Sequence, residues 1–238
     1  MNILALDTSG SAATAAVTTD GYMIGELTIR NGRTHSQKVI PMIESLLAML
    51  DLKPADIHLL AVANGPGSFT GLRIGVVTMK AFAYALNIPL IEVPTLMALA
   101  CTLGETDGLV CPMMDARNRQ VFTGIYHISG DTVSIRHPDC GISIEELADI
   151  AKGLNTPLRF VGDAVPLYRE FLMKQQLAAS FAPDELFTHR AASVARLAWI
   201  MHQQGSAAAD AFSAVPNYLR KSQAERMKGG TAGDKTDG

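Results

Sequence analysis

The sequence predicts an α/β protein of two similar lobes, each a mixed sheet with flanking helices, and three observations carry that prediction. Residues 3–21, ILALDTSGSAATAAVTTDG, and residues 110–131, VCPMMDARNRQVFTGIYHISGD, share one order of apolar run, aspartate, polar turn and alternating strand, with Asp115 in the place of Asp7. The same succession of helical and strand-like patterns follows each stretch. Between the two copies lies Gly104–Gly108, a turn-rich junction.

The elements follow in order. Asp7 and the hydroxyls of Thr8 and Ser9 end the first apolar run, an alternating strand comes next, and Asp20-Gly21 is a hairpin turn leading to another β-type run. Residues 36–50 set Val39, Ile40, Ile43, Leu46, Leu47 and Leu50 at the spacing of one helical face. Residues 57–63, IHLLAVA, are short and apolar enough for a buried strand; residues 72–86 read as a helix and 89–93 as a strand.

In the second half Ser129-Gly130-Asp131 supplies the hairpin turn. Ser143-Ile144-Glu145-Glu146 has the pattern of a capping box, with the Ser143 hydroxyl placed to accept from the Glu146 N–H. A strand at 157–161 and helices at 165–176 and 191–203 complete the copy. The lobes are then residues 1–105 and 106–225, the last segment of the second being free to return to the first. Residues 226–238 read as a disordered tail, because KGGTAGDKTDG offers one alanine as its only apolar side chain.

Composition narrows the function classes. At 238 residues and 48% apolar content there is material for sizeable cores. A net charge of −3 supplies no basic field for holding RNA or DNA, and aromatics at 6% do not suit a stand-alone RNA-binding module, so a nucleic-acid role leans on a partner. Cys101, Cys111 and Cys140 lack Cys-x-x-Cys spacing, which suits neither a disulfide framework nor a thiolate metal site and fits a reducing cytoplasm. Asp7 interrupts the N-terminal apolar run too early for a secretion signal, and no apolar stretch reaches the roughly 18 residues of a membrane helix.

Residues 63–75, ANGPGSFTGLRIG, look like a phosphate loop, yet Leu72 stands where a Walker lysine belongs and Gly65, Gly67 and Gly71 do not have dinucleotide-fold spacing. Two readings stay open. The start of the following helix can hold an anion, or Pro66 and the glycines only shape a turn capped by Ser68 or Thr70. Asp7, Thr8 and Ser9, with Gly65 and Gly67, are the candidate cofactor-binding residues; Asp7 can serve a metal and phosphates or only organise its own turn.

Residues 72–86 are apolar nearly all round, leaving Arg73, Thr78 and Lys80 as polar members, and Met42 and Met49 are read as lying off the main face of the preceding helix. One lobe does not cover every side of such a helix. The expectation is an exposed docking seam of Met42, Leu46, Met49, Leu72, Arg73, Val76, Met79 and Lys80, unless residues 211–218 cover it.

Twin lobes that each open on a strand, an aspartate and a turn resemble the actin, hexokinase and Hsp70 superfamily of RNase H-like folds, whose lobes clasp a nucleotide. Within it, Asp7-Thr8-Ser9, the run from Gly65 to Gly75, Asp115-Ala116-Arg117, Pro216-Asn217-Tyr218-Leu219-Arg220 and Ala224-Glu225 look like the bacterial TsaB family, also called YeaZ. The resemblance implies a cytoplasmic, non-catalytic subunit for threonylcarbamoyladenosine formation at position 37 of tRNAs that read codons beginning with adenine. It also implies pairing with the catalytic paralogue TsaD through first-lobe helices, work alongside TsaE, tRNA contact through the complex, and self-association when alone. Where TsaD carries a metal-binding His-x-x-x-His, this chain has Thr95 and Leu99. No tightly bound cofactor is expected, with ATP or ADP held weakly or only within the complex. The alternative is a nucleotide-dependent kinase or carbamoyltransferase of the same superfamily.

Overall fold

The computed structural model describes residues 1–32, 34–104, 106–206 and 213–219. Two five-stranded sheets repeat one plan. The first takes β1 (Asn2–Asp7), β2 (Ala13–Thr19), β3 (Tyr22–Ile29), β4 (Leu59–Gly65) and β5 (Leu90–Pro94) in the order β3-β2-β1-β4-β5. The second takes β6 (Gly108–Arg117), β7 (Gln120–Ser129), β8 (Thr132–Ser143), β9 (Leu158–Val161) and β10 (Ala179–Phe181) in the order β10-β9-β6-β7-β8. In each sheet three strands form an antiparallel meander and two more join parallel to the first. The helices are α1 (His35–Met49), α2 (Phe69–Leu86), α3 (Thr95–Ala100), α4 (Ile144–Leu154), α5 (Val165–Lys174) and α6 (Ala191–Gln203).

The strand β1 shows why the first sheet is buried on both sides. Successive side chains point to opposite faces. Leu4 and Leu6 enter a core with Val39, Ile43 and Leu46 of α1 and Val76 and Met79 of α2. Ile3 and Ala5 enter the other core, which runs without a break through α3 and α6 into the second sheet. The lobes therefore share a core.

Helix boundaries follow local chemistry. α2 starts at Phe69, ahead of the expected residue 72, because the Ser68 hydroxyl accepts from the Gly71 N–H at 3.2 Å. At α4 the capping box forms as the sequence predicts, the Ser143 hydroxyl accepting from the Glu146 N–H at 3.1 Å. α6 follows the second lobe in sequence but packs across β1 and β2 of the first. Glu26 on β3 anchors it, one oxygen accepting from the Ala192 N–H at 2.9 Å and the other from the Arg190 guanidinium at 2.6 Å, which places a carboxylate at a helix start. Among the described residues no helix is long and apolar enough to cross a membrane.

The docking seam expected from sequence needs correction. Leu72, Val76, Met79 and Ala83 recur at the helical period and form the core-facing stripe of α2, with Met79 fully buried. Met42 and Leu46 do the same on α1: Met42 lies three residues after Val39 and four before Leu46, so it shares their face and is buried, while Ile40 turns outward. The residues that do face outward are Met49, 73% exposed, Val77, 64%, and Tyr84, 70%, together with Arg73 and Ala81. Lys80 is half-buried and donates to the Ala214 carbonyl at 2.9 Å.

Candidate functional site

Between the sheets lies a cleft of about 630 Å3. Ser9, Gly10 and residues 66–70 line it from the first lobe, Asp115, Arg117 and Asp163 from the second, and Tyr218 and Leu219 close one side.

Asp7, at the end of β1, is 1% exposed. Its Oδ1 accepts from the Ser9 N–H at 2.8 Å and the Ser9 hydroxyl at 2.6 Å, and its Oδ2 lies 3.3 Å from His189 Nδ1. Burial pushes this carboxyl up, but the facing His189 imidazolium and the hydrogen bonds from His189 and Ser9 outweigh it and hold Asp7 below the ordinary aspartate value. His189, 3% exposed, is pushed down by burial and pulled up more strongly by Asp7 and then Asp163, so it sits above the ordinary histidine value. The result is a buried pair in which each partner favours the charged form of the other.

Ser9, His189 and Asp7 have the composition of a catalytic triad without its geometry. A triad serine and aspartate sit at opposite ring nitrogens, so that the base takes a proton at one while the acid orients the other. Here Ser9 Oγ, at 3.2 Å, and Asp7 both meet Nδ1, and Nε2 has no hydrogen-bond partner among the described residues. The Ser9 hydroxyl donates to Asp7, which leaves it no base. The cysteines are equally inert: burial pushes the Cys101 thiol up to about 11 and the Cys111 thiol up to about 12.

The glycine loop packs on this turn. The Ser68 N–H donates to the Ser9 carbonyl at 2.7 Å, and the Thr8 hydroxyl to the Gly71 carbonyl at 2.8 Å. A Cβ on Gly71 would strike the Thr8 carbonyl oxygen, and one on Gly67 would stand 2.7 Å from the Ser9 carbonyl oxygen. Gly65, at φ +132, leaves room for the Asn217 carbonyl where a Cβ would project. The close approach of Thr8, Ser9 and Asn217 accounts for all three glycines as a shaped turn. The N–H groups of Ser68, Gly71 and Leu72 already have acceptors within the protein, as both Asp7 oxygens have donors. To take a phosphate, these particular groups would have to give up partners within the chain; among the described residues there is no group of three or more His, Cys, Asp or Glu placed to hold a metal.

On the opposite wall, the Asp115 N–H donates to Asp163 Oδ1 at 3.1 Å and Asp115 Oδ1 accepts from the Arg117 N–H at 2.8 Å. Burial raises Asp163, with His189 opposing it. Arg117, Asn118 and Arg119 are all left-handed, at φ 63, 53 and 56. Thr95 donates nothing to a metal; its hydroxyl accepts from the Gly65 N–H at 3.0 Å, and Leu99 is buried.

The structure packs the Asp7-Thr8-Ser9 turn against the glycine loop, with Ser9 and Gly67 lining the cleft, and adds residues the sequence did not flag. His189 and Asp163 have no spacing relation to Asp7, and only three-dimensional packing reveals them. Tyr218 was legible only as part of a motif whose Arg220, with Ala224 and Glu225, lies outside the described residues, as does the expected 226–238 tail.

The family model described as "TsaD: tRNA N6-adenosine threonylcarbamoyltransferase" matches residues 28–228. The tRNA threonylcarbamoyladenosine biosynthesis protein TsaB of Bacillus subtilis (strain 168) is 32% identical over 225 residues, 94% of this chain and 96% of that one. Among solved structures, YeaZ from Pseudomonas aeruginosa superposes with a TM-score of 0.77 at 26% identity, covering 92% of this chain and 99% of that chain. The ethanolamine utilization protein EutJ from Carboxydothermus hydrogenoformans, at 15% identity and a TM-score of 0.52, covers 83% of this chain and 90% of its own and shares the fold.

Proposed function

The chain belongs to the TsaB (YeaZ) family, and from that premise we propose that it serves threonylcarbamoyladenosine biosynthesis on tRNA as a non-catalytic cytoplasmic subunit that docks TsaD. Its part in that biosynthesis follows from the family. The division of labour is read from the molecule. At the first strand-end turn several groups that could handle a phosphate or metal are bonded within the chain: Asp7 to Ser9 and His189, the Ser68 amide to the Ser9 carbonyl and the Gly71 amide to the Ser68 hydroxyl. A kinase or carbamoyltransferase needs those groups for its substrate. The cleft is accordingly read as holding no nucleotide in the isolated chain, with ATP or ADP bound weakly or only in the assembled complex.

The observation that carries the docking role is the outward face of α2, where Arg73, Val77, Ala81 and Tyr84 follow one another at helical spacing, together with the exposed Met49 of the neighbouring α1. Both helices cover the same face of the first sheet. A tyrosine and a methionine at such exposure form an adaptable apolar patch of the kind that marks an interface. In this reading the patch supports TsaD, the pair presents a surface to TsaE and tRNA, and the same patch drives self-association of the isolated chain. Mixing purified chain with TsaD and measuring mass by light scattering tests it; the expected result is a heteromeric complex at micromolar concentration, and two unassociated species would overturn it.

A further inference from the structure

The segment 213–219 lies across the first lobe and is held almost wholly through its backbone. The Asn217 N–H donates to the Asn64 carbonyl at 2.7 Å, the Val215 N–H to Glu92 Oε1 at 2.8 Å, and Lys80 donates to the Ala214 carbonyl at 2.9 Å. Ala214 enters the first-lobe core and Pro216 and Leu219 are half-buried, while Val215 points outward, so Ala214 is the one fully buried side chain among residues 213–219. Segments with few buried apolar contacts open at lower free energy than the core.

One side chain gives this strap a fastening. Tyr218 stacks on Phe69, the first residue of α2, with ring centroids 4.6 Å apart, and its hydroxyl accepts from Arg73 Nε at 3.0 Å. The Arg73 guanidinium carbon sits 4.0 Å over the Phe69 ring, so the three groups form one stack. Arg73 is also the first residue of the outward stripe on α2, and Tyr218 and Leu219 form a wall of the interlobe cleft. The docking surface and the cleft therefore meet at the stack of Arg73, Tyr218 and Phe69.

We propose that residues 213–219 are a latch fastened by Arg73 and Tyr218, through which a partner on the α2 stripe controls one wall of the cleft. A docked protein that sets a carboxylate against Arg73 draws the guanidinium away from Tyr218, because a charge-assisted bidentate pair is stronger than a bond to a neutral hydroxyl. Tyr218 then loses its donor, the strap loosens, and the wall opens. Linkage makes the coupling reciprocal: whatever enters the cleft and displaces Tyr218 changes affinity at the stripe. This rests on the docking role proposed for α2. Gly65 adds independent support for a built seat, since the strap's Asn217 carbonyl occupies the space that any side chain there would fill.

Hydrogen exchange of the peptide carrying the Val215 and Asn217 amides tests the latch. In the full chain, Arg73→Ala and Tyr218→Phe should each speed exchange there roughly fivefold, the scale of one hydrogen bond's net contribution, with α2 amides and the unfolding temperature unchanged. Exchange unaltered in both variants overturns the proposal. With TsaD bound, shown separately by light scattering, the same amides should exchange faster; unchanged or slower exchange in the complex also overturns it. If TsaD fails to bind, the docking role falls, and the two variants still decide whether Arg73 fastens the strap.

Discussion

His189 Nδ1 stands 3.3 Å from Asp7 Oδ2, with both side chains almost wholly buried, so the strand-end acid of the first lobe is paired with a base from the same chain. His189 lies two residues before the start of α6, the helix that crosses from the second lobe onto the first sheet, and its pairing with Asp7 ties that crossing to the turn where the first lobe's glycine loop packs. Removing that base by His189→Ala strands a buried carboxylate, which costs about 3–5 kcal/mol when one partner of a buried pair is lost. Urea unfolding of the variant against the parent at pH 6 measures it; a loss below about 1 kcal/mol would mean the pair is not ionised.

The same pair sets a pH window. Asp7 is held below its ordinary value, so its contribution is present above about pH 4 and is lost as pH falls through the lower folded value. His189 is held above its ordinary value, so its contribution is complete below about pH 6.5 and is lost as pH rises through the higher folded value. Stability from this site should therefore peak between those two limits. Unfolding midpoints from pH 3 to 9 should fall on both sides for the parent, and the slopes should flatten in His189→Ala.

Glycine in a helix ordinarily costs about 1 kcal/mol relative to alanine, and two glycines of this chain should split in sign. Gly153, within α4, has nothing within 4 Å of where a Cβ would stand, so Gly153→Ala should stabilise by about 0.4–1 kcal/mol. Gly71, within α2, has the Thr8 carbonyl in that place, and Gly71→Ala should destabilise by about 1–3 kcal/mol despite the better propensity. Thermal melts of the two variants decide it; stabilisation by both would show that the loop does not press on the Thr8-Ser9 turn.

What the sequence revealed and what it hid divide along the range of the interaction. The Ser143 capping box, the alternation of Ile3 and Ala5 against Leu4 and Leu6, and the repeated strand order depend on near neighbours, so spacing alone disclosed them. The faces of α1 and α2 were harder, because an all-round apolar helix has a weakly marked phase. Val76 and Met79 face the sheet, and Val77 and Tyr84 do not, although residue type barely separates them. His189 was beyond reach for a different reason. A lone histidine before a helix carries no periodic signal, and its partner is an aspartate at the other end of the chain. Glycine patterns are ambiguous for a physical reason, since close approach of a Thr8 carbonyl demands the same absent Cβ as close approach of a phosphate.

The engaged state of Asp7 and the loop amides leads to a calorimetric expectation. Titrating ATP with magnesium into the isolated chain should give no binding heat at micromolar concentration, because a phosphate would have to displace the Ser9 hydrogen bonds and the His189 ion pair, each already made in a buried setting. Saturable binding with hydrolysis would instead support the kinase or transferase alternative. Binding that is present in Asp7→Asn and absent in the parent would show that the internal pair is what keeps nucleotide out.

The docking face can be tested by two substitutions on one helix that differ only in phase. Tyr84 points away from the sheet and Met79 into it, fully buried. Tyr84 is 70% exposed but also makes an interaction within the chain, so Tyr84→Glu should lower the melting temperature of the free chain by no more than a few degrees. In complex with TsaD the same carboxylate would be desolvated where an aromatic anchor had been. The loss expected for such an anchor is about 2 kcal/mol or more, roughly thirtyfold in affinity. Met79→Glu puts an unpaired carboxylate among Leu4, Leu6 and Val39, and should unfold the first lobe before any effect on docking can be read. Light scattering and thermal melts of both variants, with and without TsaD, separate the outcomes. If Tyr84→Glu binds as tightly as the parent, the partner does not use this stripe, and the exposed face of α2 serves some other contact.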